Sequence, residues 1–540
     1  MTGRIAGSLL LFLGLTALAA GQEAPPEPTP AELLERIRKL EEEVRGLRGA
    51  QPQPKEPAAE PEWRLSEPEA PAPQPKAKEE APAVEEGHAG YYGEHFNYGY
   101  HGGGPLSWDL PKGMRLRLGG AIRTRGEFRQ PRDLRIPGQA GRPASDDASQ
   151  GDDFELLRTR VSLDLQAHRH LRAFIEFQDS RTWGDAPADV DASGFDLRQG
   201  FVELAEPFDW PLWVWVGRWK VPDLGDGRLI SGLDFSNVTR SWDGVQVFGH
   251  LGDTEGGGPW LWVTAFAANV REGRVFAPKG DQNDDFWFSG LYATVHGLNG
   301  YTLDLYVFWR HLSDRVFAGE TRVTPGNKED VTLGARSNHD FGWVGYSMEF
   351  AWQAGNQNRD RIRAIAGAGR VWVKWAYAED AHLALTVEYA YASGDKNPAD
   401  GRNNTFDPLV PNTHDLHGQQ DLFRWSNLHD VSLQLRWALP VSDLSLHSDL
   451  HAFFLDERKD AWYGTSGVVR RDLSGQAHGF VGTELDLYAS AVLWERLTAK
   501  LNYSHFWPGR YVRETARNTT GRGGTGAEQD WVSLSLELAF

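Results

Sequence analysis

The 540-residue sequence contains no cysteine, which excludes disulfide bonds and metal sites built from thiolates. It also lacks an excess of positive charge. The formal net charge is -19 at pH 7, so a nucleic-acid partner is not expected. After residue 20, no apolar run approaches the roughly 20 residues that a membrane helix needs. If the exported chain enters a membrane, it must therefore cross it as β-strands.

Aromatic residues are abundant although the mean hydropathy is low. The sequence has 22 Trp, 26 Phe and 15 Tyr at a mean hydropathy of -0.50. This combination is unusual for a helical membrane protein. It is typical of a barrel with a polar interior and aromatic girdles at the two membrane interfaces.

Residues 1–20 are predicted to be a signal peptide. Arg4 provides a positive n-region, residues 5–18 an apolar h-region, and residues 17–20 the small side chains of a cleavage site. A transmembrane anchor is the alternative, although the apolar run is short for a bilayer span. The sequence therefore predicts an exported protein.

Residues 21–50 are predicted to form a short periplasmic coiled-coil helix, because apolar residues recur at alternating spacings of four and three. This seam, a candidate homotrimer contact, consists of Leu33, Ile37, Leu40, Val44 and Leu47. A solvated single helix or disorder is the alternative, since so few heptads are marginal alone. Residues 51–112 are rich in Pro and Gly and are predicted to be an extended linker.

Residues 113–540 are predicted to form an all-β domain, a transmembrane antiparallel β-barrel of about 18 strands. Alternating segments such as LALTVEYAY (383–391) and VSLQLRW (431–437) recur between Gly, Asp, Asn and Pro clusters, and short connections alternate with long ones. A soluble sandwich would show the same alternation, with its apolar faces packed on each other. The signal peptide and the number of strands favour the barrel.

The carboxyl terminus WVSLSLELAF has the same alternation. Val532, Leu534, Leu536, Leu538 and Phe540 share one parity, and polar residues fill most of the other. A final strand that ends in an aromatic residue is similar to the terminal signal that outer-membrane barrels present to their assembly machinery.

Arginines occupy the polar parity of the first two predicted strands. A charge on the lipid face would cost about 2 to 4 kcal/mol at the midplane, so these side chains are expected to point into the lumen, where a ring of arginines favours anions. The alternative is that they pair with lumen acids such as Asp164, Glu176 or Glu203 and brace the barrel. The predicted pore-lining residues, including those assigned by the resemblance described next, are Arg115, Arg117, Arg123, Arg125, Arg158, Arg160, Arg218, Arg228, Arg240 and Arg436.

The segment GRWKVPDLGDGRLISGLDFSNVTRSWDGVQV (217–247) is dense in charge and glycine. A tight turn between two strands is expected there, because the phosphate-binding P-loop pattern is absent. The segment resembles the alginate export family of outer-membrane barrels, in which a GR pair, a later GD..RL and an R-S-aromatic-D stretch recur. Further similar segments are FIEFQDSRTWGD, YASGDKNPADGRNNTFDPLVP, LFRWSNLHDVSL, DAWYG, VGTELDLYA and NYSHFWPGRYV.

This resemblance covers about residue 113 to the carboxyl terminus. It implies an 18-stranded barrel that passes an anionic polysaccharide or a similar solute through an arginine-lined constriction. By matching positions it assigns Arg158, Arg160, Arg218, Arg228 and Arg240 to the pore. The helical arm and linker are not part of the family's core pattern and look more like the periplasmic arm of a trimeric porin.

No pattern in the sequence argues for catalysis, a cofactor or a metal. His447 and His451 share a strand face with Asp449, but residues four apart on a strand are too distant to ligate one ion easily. DVDASGFD (189–196) resembles the start of a calcium loop, but the twelfth position is Gly200 rather than Glu. We therefore expect no enzyme.

The predicted function is an outer-membrane channel for anionic solutes, with export of an alginate-like acidic polysaccharide as its most specific form. A general trimeric porin for small solutes is the first alternative. The second is a structural envelope protein whose helical arm links the outer membrane to the cell wall. The expected partners are outer-membrane lipid and anionic small solutes or polysaccharide.

Overall fold

In a computed structural model of the chain, the predicted signal peptide, the coiled-coil seam with its trimer contact, and the linker up to residue 105 lie outside the described residues. The structure describes residues 106–130, 152–184, 194–252, 259–271, 286–296, 300–318, 323–378, 381–412, 414–441, 443–465, 467–517, 526 and 528–540.

The described chain consists of antiparallel strands with one short α-helix and two 3-10 turns at Pro111–Gly113 and Pro207–Asp209. The first half contains β1 (Leu106–Leu110), β2 (Met114–Gln130), β3 (Asp152–His168), β4 (Leu171–Gly184), β5 (Asp196–Ala205), β6 (Leu212–Lys220), β7 (Ser241–Leu251), β8 (Leu261–Arg271), β9 (Phe286–His296), β10 (Thr302–Ala318) and β11 (Val323–Asp340). The second half contains β12 (Val344–Gln357), β13 (Asp360–Ala378), β14 (Ala381–Ala392), β15 (Arg402–Asn403), β16 (Leu428–Ala438), β17 (Ser445–Phe454), β18 (Ala461–Gly464), β19 (Gly467–Arg471), β20 (Phe480–Leu493), β21 (Leu497–Pro508), α1 (Arg510–Arg517) and β22 (Gln529–Ala539).

Eighteen of these strands form a closed antiparallel barrel, as the sequence predicts. Strands β2–β14, β16, β17 and β20–β22 each pair with the next barrel strand, and β22 pairs back with β2. The short strand β1 pairs with the beginning of β2, and the short strand β15 pairs in parallel with β13, while β18 and β19 form a separate hairpin. Closure leaves no long unpaired strand edge, which is what a strand-built membrane protein requires.

None of the helices among the described residues is long and apolar enough to span a membrane.

The connections alternate in length around the barrel. Strands β3 and β4 are joined by residues 169–170, and β11 and β12 by residues 341–343. At the opposite end, residues 221–240 join β6 to β7 and residues 393–427 join β14 to β16. In outer-membrane barrels the short turns are periplasmic and the long loops extracellular. We refer to the two ends as the short-turn end and the long-loop end.

The alternation of side chains is confirmed. On β14, Val387 is 54% exposed and Tyr389 is 46% exposed. Glu388, which lies between them, and Ala390, which follows Tyr389, are buried. On β2, Ile122 is exposed while Arg123 is buried. The apolar set therefore faces outward to lipid and the polar set faces the interior.

Large aromatic side chains lie exposed near both ends of the barrel. Phe208, Trp343 and Trp494 belong to turns at the short-turn end, and Trp183 and Trp287 lie near the long-loop end. Tryptophan side chains, whose rings are amphipathic, are typical of the two membrane interfaces.

The barrel closes beside the carboxyl terminus. Gly120 and Phe540 exchange two backbone hydrogen bonds of 2.9 Å each. A β-carbon at position 120 would lie 2.4 Å from the Arg160 carbonyl oxygen and 2.6 Å from the Phe540 ring, so this position requires glycine. Before Gly120, residues 114–118 of β2 pair with β1. The first strand, β1, therefore lies within residues 51–112, the range that the sequence predicts to be a linker.

The interior is not polar throughout. Between β4 and β10 the inward faces carry a continuous buried aromatic surface, which we call the aromatic wall. It consists of Phe174, Phe201, Trp213, Trp215, Trp219, Trp242, Phe248, Trp262, Phe266, Phe288, Tyr292, Tyr306 and Phe308. Alternation does not predict the aromatic wall, because strands such as LWVWVGRWK carry apolar residues on both faces.

Candidate functional site

A long loop crosses the lumen where the sequence predicted a tight turn. We call residues 221–240 inner loop 1. Near its carboxyl end, Asp234 lies 3.0 Å from the Arg160 guanidinium of β3. Near its amino end, Asp226 lies 2.5 Å from the Arg336 guanidinium of β11. Since β3 and β11 stand on opposite sides of an 18-stranded barrel, the loop spans the interior.

Local sequence explains how inner loop 1 turns inward. Gly225 and Gly227 adopt φ values of 61° and 76°, which glycine accepts without a side-chain clash. The turn between them lets Leu224 and Ile230 pair as a β-bridge. Leu224, Leu229 and Ile230 are buried against the aromatic wall. The loop is therefore anchored by apolar contacts as well as by charge.

Four inward-facing arginines on β2 and β3 hold the other end of the loop. We call this set, Arg123, Arg125, Arg158 and Arg160, the arginine wall. The Arg123 guanidinium donates to the carbonyl oxygens of Asp234, Phe235 and Ser236 at 2.8 to 2.9 Å. All four side chains are at most 8% exposed. The loop segment 234–236 therefore covers these arginines.

Carboxylates neutralise part of the arginine wall. The ion pairs are Arg125–Glu127 (2.7 Å), Arg158–Glu537 (3.0 Å) and Arg160–Asp234 (3.0 Å). Within the described residues, the hydrogen bonds of the Arg123 guanidinium all go to carbonyl oxygens. A carbonyl oxygen satisfies the donors but carries no formal charge, so the charge of Arg123 is not cancelled by a bonded acid.

A second loop, residues 393–427, also folds into the lumen, and we call it inner loop 2. Its Asp407 lies 2.9 Å from Arg310 of β10 and binds Lys328 of β11. It meets inner loop 1 through backbone hydrogen bonds, with Val410 accepting from Ser231 at 2.7 Å. Because the two loops are bonded to each other and to the barrel, they form one constriction. Both contain segments that resemble the alginate export family.

Acidic side chains dominate the wall formed by β16, β17 and β20. Asp430 is bound by His417 of inner loop 2 and by His451, each at 3.0 Å. Beside them, the backbone N–H of Gln420 donates to Glu484 at 3.0 Å. Burial lowers the pKa of His417 below its ordinary value, and the hydrogen bond to Asp430 offsets part of that shift. Inner loop 2 is thus docked on an acidic surface.

Within the described part of the chain, no group of three or more His, Asp and Glu side chains is arranged to hold a metal ion.

The remaining predicted arginines lie in several environments. Arg228 of inner loop 1 pairs with Glu388 and is buried. Arg240 donates to the carbonyl oxygen of Pro411 at 2.7 Å and so ties the two inner loops together. Arg436 shares the inward parity of Ser432 on β16 and is exposed near the short-turn end.

The first two arginines of β2 lie at the short-turn end. Arg115 is half-buried and pairs with Asp109 of β1 at 3.0 Å. Arg117 lies opposite Asp164 in the β2–β3 register. Lys500 of β21, which the sequence reasoning did not select, is also exposed on the inward parity of this end.

Arg218 is not in the lumen. It shares the outward parity of Val216, which is exposed, and binds the Asp243 carboxylate through two hydrogen bonds of 2.6 Å. The assignment came from a matching motif rather than from parity. On β6 the inward positions are held by Trp215 and Trp219.

Asp164, Glu176 and Glu203, the alternative partners named from the sequence, do form ion pairs on the inner surface of the barrel. Their partners include arginines that were not predicted to line the pore. Arg172 lies 2.7 Å from Asp164 and 3.5 Å from Glu203. Arg198 pairs with Glu176.

Arg172 could have been found by extending parity to β4, where it alternates with the outward residues Leu171 and Ile175. Arg198 could not, because it shares the parity of the outward residues Val202 and Leu204 and is the extra residue at a register shift between Leu197 and Gln199.

Comparisons with known proteins agree with this architecture. Residues 114–525 match the model of a family described as Alginate export. The fold is similar to the crystal structure of Pseudomonas aeruginosa OccK9 (OpdG), with 11% identity, a TM-score of 0.50, and coverage of 79% of this chain and 98% of that chain. The fold is also similar to the crystal structure of Pseudomonas aeruginosa OpdK with vanillate. That comparison gives 11% identity, a TM-score of 0.49, and coverage of 78% of this chain and 98% of that chain. A comparison with curated proteins found no match.

The family match extends from the start of β2 to the last loop before β22, and so includes both inner loops and the arginine wall. The barrel, its alternating faces and its connections are those of an outer-membrane channel for solutes. The chain belongs to the alginate export family of outer-membrane β-barrels.

Proposed function

We propose that this channel prefers anionic solutes and that the arginine wall supplies the attracting field. The supporting observation is the bonding of Arg123, whose donors are satisfied by the carbonyl oxygens of residues 234–236 rather than by an acid. A charge that is held in place but not neutralised acts on mobile ions more strongly in a confined, poorly hydrated space than in bulk water.

Cations at the short-turn end support the same preference. Arg115, Arg117, Arg436 and Lys500 all have inward parity there, and Arg436 and Lys500 are exposed. Arg115 and Arg117 lie on the same strand as two members of the arginine wall. An anion that enters from this mouth would therefore meet positive side chains before it reaches the constriction, which raises its local concentration.

An acidic polysaccharide is the solute class that we favour. Guanidinium groups bind carboxylates through strong, charge-assisted and often bidentate hydrogen bonds. On the arginine wall, a uronate carboxylate would compete with the carbonyl oxygens of residues 234–236 for the same N–H donors. Passage of such a chain would therefore require the 234–236 segment to withdraw from the wall. The protein acts in this scheme by transport and not by catalysis.

Planar-bilayer recording of the purified barrel tests this function. An oligouronate of about six residues is added to one side, and a neutral malto-oligosaccharide of equal length is the matched control. We expect the oligouronate to reduce the current and the neutral sugar to have a weaker effect, with a difference that shrinks as salt rises. Equal block by both sugars would favour a general porin. The absence of any conductance would favour a structural anchor.

A further inference from the structure

The outer surface of the barrel carries a groove at β13. Two glycines with outward parity, Gly367 and Gly369, leave a gap between Met348 of β12 and the Tyr389 and Tyr391 rings of β14. The groove has a volume of about 540 Å³. It lies on the face that contacts lipid, outside the lumen and its loops.

The backbone does not require glycine at either position. Neither residue has a positive φ. A β-carbon at Gly367 would find its nearest neighbour at 3.4 Å, and one at Gly369 at 3.8 Å, which are ordinary contact distances. This differs from Gly120, where a β-carbon has no room. What the two glycines provide is therefore empty space on the lipid-facing surface.

A polar network lies beside the groove towards the long-loop end. The Tyr389 hydroxyl is 2.7 Å from His429 Nδ1, and His429 Nε2 is 3.3 Å from an Asp456 carboxylate oxygen. The Tyr391 hydroxyl donates to Asp456 at 3.4 Å. The groove thus has an apolar floor and a hydrogen-bonding rim, which is the polarity profile of a lipid at an interface.

Above the groove on the same strand, the outward face becomes basic. Arg361 and Arg363 are exposed with outward parity, and Arg359 is exposed in the adjoining turn. Within the described chain, no acid lies within ion-pair distance of these three side chains. Asp360, between two of them, is buried on the inward face. Gly367 lies four positions after Arg363, which is about 13 Å along a strand.

A comparable outward arginine elsewhere is paired. Arg181 of β4, near the same end of the barrel, binds Asp179 through contacts of 2.5 and 2.7 Å. The basic face of β13 therefore lacks the internal neutralisation that the protein uses at an equivalent level. Its charge is complementary to an anionic group supplied from outside.

We propose that this surface binds one phosphorylated acyl lipid of the outer leaflet. An acyl chain occupies the groove over Gly367 and Gly369, and the phosphate lies against Arg361 and Arg363. Hydroxyl or ester groups between the two bind the rim at Tyr389. The spacing of the basic face above the groove matches the order of head group and chain in a bilayer.

Native mass spectrometry of the full-length barrel in detergent tests the proposal, with dimyristoyl phosphatidate as probe and dimyristoylglycerol and inorganic phosphate as comparisons. We expect one phosphatidate to be retained per barrel, weaker retention of the diacylglycerol, and no competition by phosphate. The double variant R361Q/R363Q should bind phosphatidate roughly 25-fold more weakly, since each arginine near a membrane surface contributes about fivefold. R181Q is the matched control and should bind like the wild type.

Filling the groove tests the acyl contact separately. Gly367→Leu and Gly369→Leu occupy the space without a backbone clash and should abolish retention of both lipids. Gly126→Leu is the control, because Gly126 has outward parity on β2 and open space around it. Retention that is unchanged in the arginine and glycine variants would overturn the proposal. So would a change of oligomeric state in the glycine variants with lipid retention intact, which would identify a second copy of the chain as the occupant.

Discussion

The Asp226 carboxylate of inner loop 1 lies 2.5 Å from the Arg336 guanidinium of β11. Arg370 of β13 contacts the same carboxylate at 3.0 Å. These contacts join the amino end of the loop to the side of the barrel that faces the arginine wall. One loop is therefore fastened at both ends, and its position depends on two sets of charged contacts.

The first prediction concerns the far attachment. Asp226→Asn removes the charge that Arg336 and Arg370 share, while Arg336 keeps its second partner Asp304 at 3.1 Å. Both side chains of the Asp226–Arg336 pair are less than 10% exposed, so we expect loop docking to weaken by about 3 kcal/mol. Single-channel recording should show larger conductance and more current fluctuation than in the wild type.

The control for that variant is Asp209→Asn. It breaks the Arg169–Asp209 pair, whose side chains are 66% and 74% exposed. Exposed pairs contribute little, so conductance should be unchanged. If Asp226→Asn also left the conductance unchanged, inner loop 1 would not govern the passage.

The second prediction uses the absence of cysteine. A β-carbon at Gly227 would lie 3.7 Å from the Asn412 β-carbon, a separation that suits a disulfide between the two inner loops. The double variant G227C/N412C introduces the chain's only thiols. Oxidation should lower conductance and current fluctuation, and a reductant should restore them.

Gly227→Ala is the control for strain in that experiment, because residue 227 has a φ of +76°. It should show no response to oxidant or reductant. A double variant that forms the disulfide without any change in conductance would argue that the two inner loops move together, or not at all, during permeation.

The third prediction concerns the barrel seam at Gly120 and Phe540. Gly120→Val should slow folding into dilauroyl phosphatidylcholine vesicles strongly, because the added carbons collide with the Arg160 carbonyl and the Phe540 ring. Phe540→Ala should slow folding less, because the lost ring contact contributes only about 1 kcal/mol of stabilisation. Heat-modifiable migration on gels measures the folded fraction. Gly126→Val, in open space on the same strand, should fold at the wild-type rate.

Much of the fold followed from the sequence because one local rule governs it. Alternation on β14, β16 and β22 set each residue inside or outside without knowledge of its neighbours. The same rule failed where both faces are apolar. On β6, Trp213 and Trp215 alternate with Val214 and Val216, so parity gave no direction and the aromatic wall was missed.

The constriction could not be predicted in the same way. Inner loop 1 has no regular period, and its contacts join Arg123 to Asp234, residues 111 positions apart. Such contacts depend on the closed barrel that brings β2 beneath the loop between β6 and β7. Arg218 shows the opposite error, since a motif match placed it in the lumen while its strand parity places it outside.

The reversal potential in a potassium chloride gradient tests the central claim, that uncompensated charge on the arginine wall gives the channel its ion preference. The matched pair is Arg123→Gln, which removes a positive charge from the arginine wall, and Asp234→Asn, which removes the carboxylate charge that pairs with Arg158 and Arg160 of the same wall. We predict anion preference in the wild type, a decrease on the order of twofold in the anion-to-cation permeability ratio for Arg123→Gln, and an increase for Asp234→Asn. A wild-type channel that prefers cations, or two variants that shift the potential in the same direction, would contradict the account.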